Sequence, residues 1–423
     1  MSTRPATDAR ADSALADPTY RWFLAARTIA MAGNALTLVA LPVLVYRLTG
    51  SATLTALVAA LETAPYLLVG LLAGALVDRA HRRRVLVTSA TVSGLAMLTV
   101  PLADALGVLG VGQIMVVAVV VATSFVFADA AGFGVVPQMV GRARVASATS
   151  TLVSVGTAIG LVGPLVGGVL VTVTSPALVL GIDGLAYLAC AAVLARLRWP
   201  GSEERPERGP DRRLRAEVAE GLRFIWALPV VRWLTLLGAG NSLAGGAVAG
   251  LLVVVGVEQL GLGVDSPRLG WLFAAGAAGT FLASLALPRL QRRVGVGLIT
   301  TVGYAVALVT LLGLSFATSL VVALPLLALQ GYAATTLIVN GIVARQVVTP
   351  DRLQSRVNTT ARLIAWGGSP LGAALAGVVA GAVGTPWALR VAALGLVVSL
   401  GGALVVGVWR YPRVVRLAAP AGG

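Results

Sequence analysis

The strongest constraint on this chain is a rhythm. Long, nearly uncharged apolar stretches alternate along its whole length with short turns that are either crowded with arginine or almost free of charge. A helix needs about 20 apolar residues to cross the hydrocarbon core, and there every backbone polar group must be paired within its own segment. The pattern therefore dictates an all-α polytopic membrane protein. A soluble domain is excluded by charge content, 12% here against about 25% in soluble proteins. The net charge of +15 would suit a nucleic-acid binder. It is sorted by turn, however, and not gathered on a face, so no nucleic acid is expected as a partner. All 32 basic residues are arginines. Apart from Arg47 and Arg268 on the opposite side and Arg27, Arg362 and Arg390 within spans, they fall on one set of turns and tails. Positive turns resist translocation, so that side is the cytoplasm, where attraction to anionic headgroups adds to the bilayer contact.

Spans are expected at roughly 21–46, 52–77, 85–105, 111–133, 147–172 and 176–194, then 233–257, 269–287, 295–317, 320–344, 358–383 and 386–408. Twelve crossings return both termini to the cytoplasm. The organisation reads as a tail (1–19), a six-helix bundle (20–195), a basic linker (196–231), a second six-helix bundle (232–408) and a tail (409–423). Pro200, Pro206 and Pro210 make the start of the linker a flexible strand. After it, Leu214, Val218, Leu222 and Ile225 recur at helical spacing over 211–227, which predicts an amphipathic helix on the inner membrane face. A solvated linker with a turn or two of helix is the alternative. Residues 1–18 lack the apolar core of a cleaved signal peptide, so the first span is expected to direct insertion.

The halves echo each other. Ala32-Gly33-Asn34-Ala35-Leu36 returns 207 residues later as Ala239-Gly240-Asn241-Ser242-Leu243, and Arg144-Val145-Ala146-Ser147 returns 208 later as Arg352-Leu353-Gln354-Ser355. Two similar bundles holding a substrate between them near the midplane are the arrangement of alternating-access transporters.

Two motifs sharpen this. The turn between spans 2 and 3 places Gly74, Asp78, Arg79, Arg82 and Arg83 in one short segment, with a degenerate counterpart at 288–293. It resembles motif A of the major facilitator superfamily, with His81 standing where the family has a second glycine. The resemblance implies that Asp78, with Arg79 and Arg82 as partners, meets a helix end of the other half and latches the outward-open state. Orientation alone would explain the arginines but not Asp78. In span 5, Gly160, Gly163, Pro164, Gly167 and Gly168 allow close helix approach and a kink. They are similar to motif C of drug–proton antiporters, which implies a seal against leakage; tight packing without antiport is the alternative. A weaker counterpart occupies 367–372 in span 11. Span 4 has no arginine, so motif B is absent. Pro137-Gln138-Met139-Val140 and Pro350-Asp351-Arg352-Leu353 are similar to loops of the drug-efflux and siderophore-export branches.

Ionisable residues within spans are expensive and are functional candidates by default. The acids are Glu62, Asp129 and Asp183. Glu62 lies mid-span before Pro65 and suits a group that takes a proton on one side and releases it on the other; Asp183 is the second candidate. Asp129 near the inner end of its span snorkels or pairs locally, with Arg27 as its possible partner. Asn34 and Asn241, at matched repeat positions, are candidates for the cavity or for interhelical hydrogen bonds. One histidine and one cysteine, Cys190, leave no metal, nucleophile or disulfide constellation.

The resemblance implies the major facilitator fold, with twelve transmembrane helices in two six-helix pseudo-repeat bundles. It also implies a monomer in the cell membrane that exports an amphipathic small molecule in exchange for protons. The expected substrate is a drug, antibiotic or siderophore-like natural product, and the proton gradient is the driving force, with no cofactor. An importer or facilitator of a sugar or metabolite, a membrane-embedded enzyme and a receptor are the alternatives. Motif C speaks against the first, the scatter of acids against the second, and the lack of a sizeable extramembrane segment against the third.

Overall fold

The computed structural model describes residues 14–141, 144–197 and 214–413. After a short 3₁₀ turn (Ala14–Ala16) come α1 (Pro18–Thr49), α2 (Ala52–Arg79), α3 (Arg82–Ala105), α4 (Val111–Val140), α5 (Val145–Val173) and α6 (Pro176–Arg196). The second series is α7 (Leu214–Ala227), α8 (Pro229–Val254) with a π-helical turn (Val255–Gln259), α9 (Arg268–Arg293), α10 (Val296–Phe316), α11 (Leu320–Val348), α12 (Asp351–Trp366), α13 (Gly368–Val383) and α14 (Thr385–Val405). Among the described residues twelve helices are long and apolar enough to cross a membrane. Helix α4 runs to Val140, past the expected end at 133, because Val135, Val136, Met139 and Val140 are buried in the bundle core and continue the apolar face. The eleventh span is broken at Gly367 into α12 and α13.

The chain divides into two compact units. One comprises Met1–Leu41 and Leu68–Asp211; the other comprises Pro42–Leu67 and Arg212–Gly423. Helices α1 and α2 thus pass from one unit to the other, and each carries a proline near the crossing, Pro42 and Pro65. Proline removes one intrahelical hydrogen bond and lets a helix bend.

In the first unit, Tyr20, Phe23 and Ala26 of α1 pack with Leu86, Val135 and Leu194 around the arginine-bearing end. The Tyr20 hydroxyl donates to the Ala148 carbonyl at 2.6 Å. Arg83 donates to the Ala195 carbonyl at the end of α6, where cations are favoured by the helix dipole. Gly94 and Gly184 let α3 and α6 touch: a Cβ on Gly94 would lie 2.8 Å from the Gly184 carbonyl oxygen.

In the second unit, Asn340 of α11 binds its neighbours together. It donates to the Val296 carbonyl (2.9 Å) and Thr300 Oγ1 (3.0 Å) and accepts from Gln291 Nε2 (3.0 Å). The linker helix α7 seats Ile225 against Leu353, Val357 and Ala361 of α12, while Leu222 and Trp226 stay exposed. The expected amphipathic helix is therefore present from Leu214; residues 211–213 lie outside the described segments. Ile225 is fully buried, so Ile225→Ala is expected to destabilise this seat by about 2–5 kcal/mol. A lowered melting temperature of the second unit's transition in purified protein would register it.

Candidate functional site

Helix α6 starts at Ser175, whose side chain accepts from the Leu178 N–H, with Pro176 at its first position. From there Asp183, Tyr187, Cys190 and Leu194 fall at 4, 3 and 4 residue intervals on one stripe. Helix α1 faces it with Gly33 and Thr37. Asp183 is wholly buried. Its Oδ2 accepts from Thr37 Oγ1 at 2.6 Å. Its Oδ1 fills the space a side chain on Gly33 would take, and has no hydrogen-bond partner among the described residues. Asn34 Nδ2 donates to the Tyr187 hydroxyl at 3.5 Å. A buried carboxyl with one oxygen satisfied and no cation is costly and calls for a function.

The repeat isolates this feature. In the second unit the position matching Gly33 is Gly240, and it packs on the Gly395 backbone and the Ser399 side chain. The Ser399 hydroxyl is satisfied by the Leu237 carbonyl at 2.8 Å. One glycine crossing holds a carboxyl; its counterpart holds a glycine and a hydroxyl. The two asparagines also differ, for Asn34 is exposed whereas Asn241 is buried with its Oδ1 unpartnered.

The other acids sit differently. Glu62 is exposed on α2 without a hydrogen-bond or ionic partner among the described residues. Asp129 is half-buried on α4. Arg362 of α12 lies over the Tyr66 ring at 5.2 Å, a cation–π contact.

The span-5 glycines make the α1–α5 crossing. Gly163 abuts Ala35, and a Cβ on Gly167 would stand 3.2 Å from the Leu36 backbone; Pro164 and Gly168 are buried, and Gly160 faces open space. In the second unit a Cβ on Gly368 would stand 3.2 Å from the Ser242 side chain, and one on Gly372 would run into the Leu243 backbone. Ser242 and Leu243 are the repeat partners of Ala35 and Leu36, so the sequence repeat is matched by the packing.

At the α2–α3 turn the side chains of Asp78 and Arg79 lie outside the described residues. Gly74, Arg82 and Arg83 are half-buried. His81 has φ −71° and ψ 109°, ordinary extended backbone, so histidine fits where the family pattern has glycine.

One constellation had no forecast in the sequence. In the second unit Glu258, on the π turn, accepts from Tyr46 Oη at 3.0 Å and Thr385 Oγ1 at 2.8 Å. Arg47 pairs with Asp265 nearby at 3.4 Å. The wide turn aims Glu258 at both hydroxyls; π turns recur at functional sites. Only the acid's place just past an apolar run hinted at it. Tyr46→Phe removes one hydrogen bond to a charged group, worth about 1.5–3 kcal/mol. Amide hydrogen exchange over 255–259 is expected to speed up by about tenfold or more.

A family model described as transmembrane secretion effector matches residues 10–414. A multidrug efflux pump, Tap, of Mycolicibacterium fortuitum is 31% identical over 378 residues, covering 85% of this chain and 89% of the pump. The Tap pump of Mycobacterium tuberculosis (strain ATCC 25618 / H37Rv) is 29% identical over 383 residues, 85% of this chain and 87% of the relative. Among solved structures, a bacterial homologue of the human lysosomal transporter Spinster, inward-facing and unoccupied, aligns with TM-score 0.75 at 16% identity over 96% of this chain and 99% of its own. The nucleoside transporter NupG (D323A mutant) aligns with TM-score 0.77 at 10% identity over 92% and 99%. These structural likenesses speak for the fold.

Proposed function

Since this chain belongs to the transmembrane secretion effector family of the major facilitator superfamily, we propose that it exports amphipathic drug-like molecules across the cell membrane in exchange for protons. Both termini lie in the cytoplasm, where the arginine turns point. The protein acts as a monomer that works by alternating access. The repeat-related domains 20–195 and 232–408 are joined by the linker 196–231. Asp78 and Arg79, with Arg82, latch one end-state, and the glycine crossing of α1 and α5 keeps the pathway tight.

The observation that carries the proton reading is Asp183, a wholly buried carboxyl held by Thr37 with one oxygen unpartnered. Such a group releases and takes up a proton as its surroundings change. Glu62, exposed and unpartnered on α2, suits contact with substrate, where a carboxylate attracts cations.

The test is efflux from a pump-deficient bacterial host expressing the chain, across a panel of cationic and neutral antibiotics and dyes, with and without a protonophore. Resistance and efflux that vanish with the proton gradient support the proposal; efflux indifferent to it overturns the coupling. Glu62→Gln is expected to weaken efflux of cationic compounds about tenfold more than that of neutral ones, a difference of about 1.4 kcal/mol. An equal change in both sets would remove Glu62 from substrate recognition.

A further inference from the structure

The first unit contains a cavity of about 30 Å³, distinct from the carboxyl crossing but adjoining it along the same stripe of α6. Its walls are mixed: Arg27, Ser89, Ser93, Ser124, Tyr187 and Cys190 bring polar atoms, and alanines, leucines and Phe125 make the apolar remainder. The serines are 8%, 3% and 9% exposed. Their hydroxyls have no hydrogen-bond partner among the described residues, although a helical serine commonly bonds back to the carbonyl four residues earlier. Unlike Asp183 Oδ1, these oxygens are not fully enclosed by protein atoms, so a water in the cavity can reach them. A cavity of this size takes a water where it offers two or more polar partners, and three hydroxyls converge on this one.

The position of the cavity gives that water a purpose. On α1, Arg27, Ala30, Asn34 and Thr37 share one helix face; on α6, so do Asp183, Tyr187 and Cys190. The two faces form a seam whose deep end is the Thr37–Asp183 hydrogen bond and whose other end is Arg27. Tyr187 stands between, one turn from Asp183, with its ring on the cavity and its hydroxyl accepting from Asn34. We infer that Ser89, Ser93 and Ser124 hold a permanent water site inside the first unit, along the α6 stripe from Asp183, and that this water carries protons between Asp183 and the arginine-bearing side. The proton thus travels within one bundle, apart from the substrate's route. The inference rests on the proton-exchange reading above. Tyr187 and the serines are positioning residues for water.

Cys190 is the only cysteine in the chain and lines the cavity, so its thiol reports the water directly. The experiment is infrared detection of S–H to S–D exchange in intact, nanodisc-embedded protein transferred to heavy water, alongside proton-driven efflux in vesicles. Wild-type protein is expected to exchange within minutes. Ser93→Val with Ser124→Val, which fills the cavity with methyl groups, is expected to slow exchange and proton-driven efflux at least tenfold each, while substrate counterflow without a gradient persists. Ser93→Ala with Ser124→Ala removes the hydroxyls without filling the space and is expected to slow both as well. A wild-type thiol that stays protonated for hours means a dry cavity and overturns the inference. So does a valine pair that blocks exchange yet pumps as wild type. If wild-type efflux needs no proton gradient at all, the antiport reading fails, and thiol exchange still decides separately whether water is there.

Discussion

Asp183→Asn is expected to abolish uphill, proton-driven export while leaving downhill substrate exchange nearly intact. The substitution preserves size and retains an oxygen able to accept from Thr37 Oγ1, which now approaches Oδ2 at 2.6 Å. It removes only the ability to gain and lose a proton. The site is completely enclosed, so a carboxylate there has no solvent to compensate it, and no other acid among the described residues occupies a comparable crossing. A loss of at least a hundredfold in gradient-driven transport corresponds to about 2.7 kcal/mol or more. Counterflow of labelled substrate between equal concentrations is expected to change by less than threefold. Gly33→Ala provides a second route to the same point, since its Cβ collides with Asp183 and must displace the carboxyl. If Asp183→Asn pumps uphill as well as wild type, the carboxyl is structural.

The second large effect concerns the two glycine crossings, where three alanine substitutions should rank by what the new methyl meets. At Gly160 it meets nothing within 4 Å; at Gly167 it meets the Leu36 backbone at 3.2 Å; at Gly372 it runs into the Leu243 carbonyl. Backbone cannot step aside as a side-chain tip can, and overpacking a helix crossing costs about 1–3 kcal/mol or more. Gly160→Ala is therefore expected to behave as wild type in yield and melting temperature. Gly167→Ala should melt a few degrees lower, and Gly372→Ala should fail to accumulate as folded protein. Equal behaviour of the first and last would mean that these glycines serve flexibility and not proximity.

Much of the fold was legible because the bilayer imposes so simple a rule. Runs of apolar residues long enough to span, punctuated by arginines on alternate turns, specify the number of helices, and the spacing of Gly33-Asn34 and Gly240-Asn241 specifies the duplication. What escaped depends on neighbours. Glu62, Asp129 and Asp183 look alike in sequence, each a lone acid in an apolar run, yet one is exposed, one half-buried and one enclosed. In a span apolar on every side the pattern does not say which face meets protein and which meets lipid. The unpartnered serines were hidden for the same reason. The break at Gly367 does have a local signal, two glycines followed by Pro370, while the π turn at 255–259 was not read from the sequence. The Glu258 hydroxyl pair joins residues 46, 258 and 385, far apart in the chain.

Antiport requires substrate and proton to move in opposite directions through one chain. The direct measurement is lumenal pH in sealed proteoliposomes that contain the purified protein and a pH-sensitive dye, recorded as an exported compound is added with no other gradient present. Substrate addition is expected to move protons in the opposite sense to the compound, in proportion to its transport, and Asp183→Asn is expected to silence the signal. Compound crossing the membrane with no accompanying pH change in the wild-type protein would contradict it.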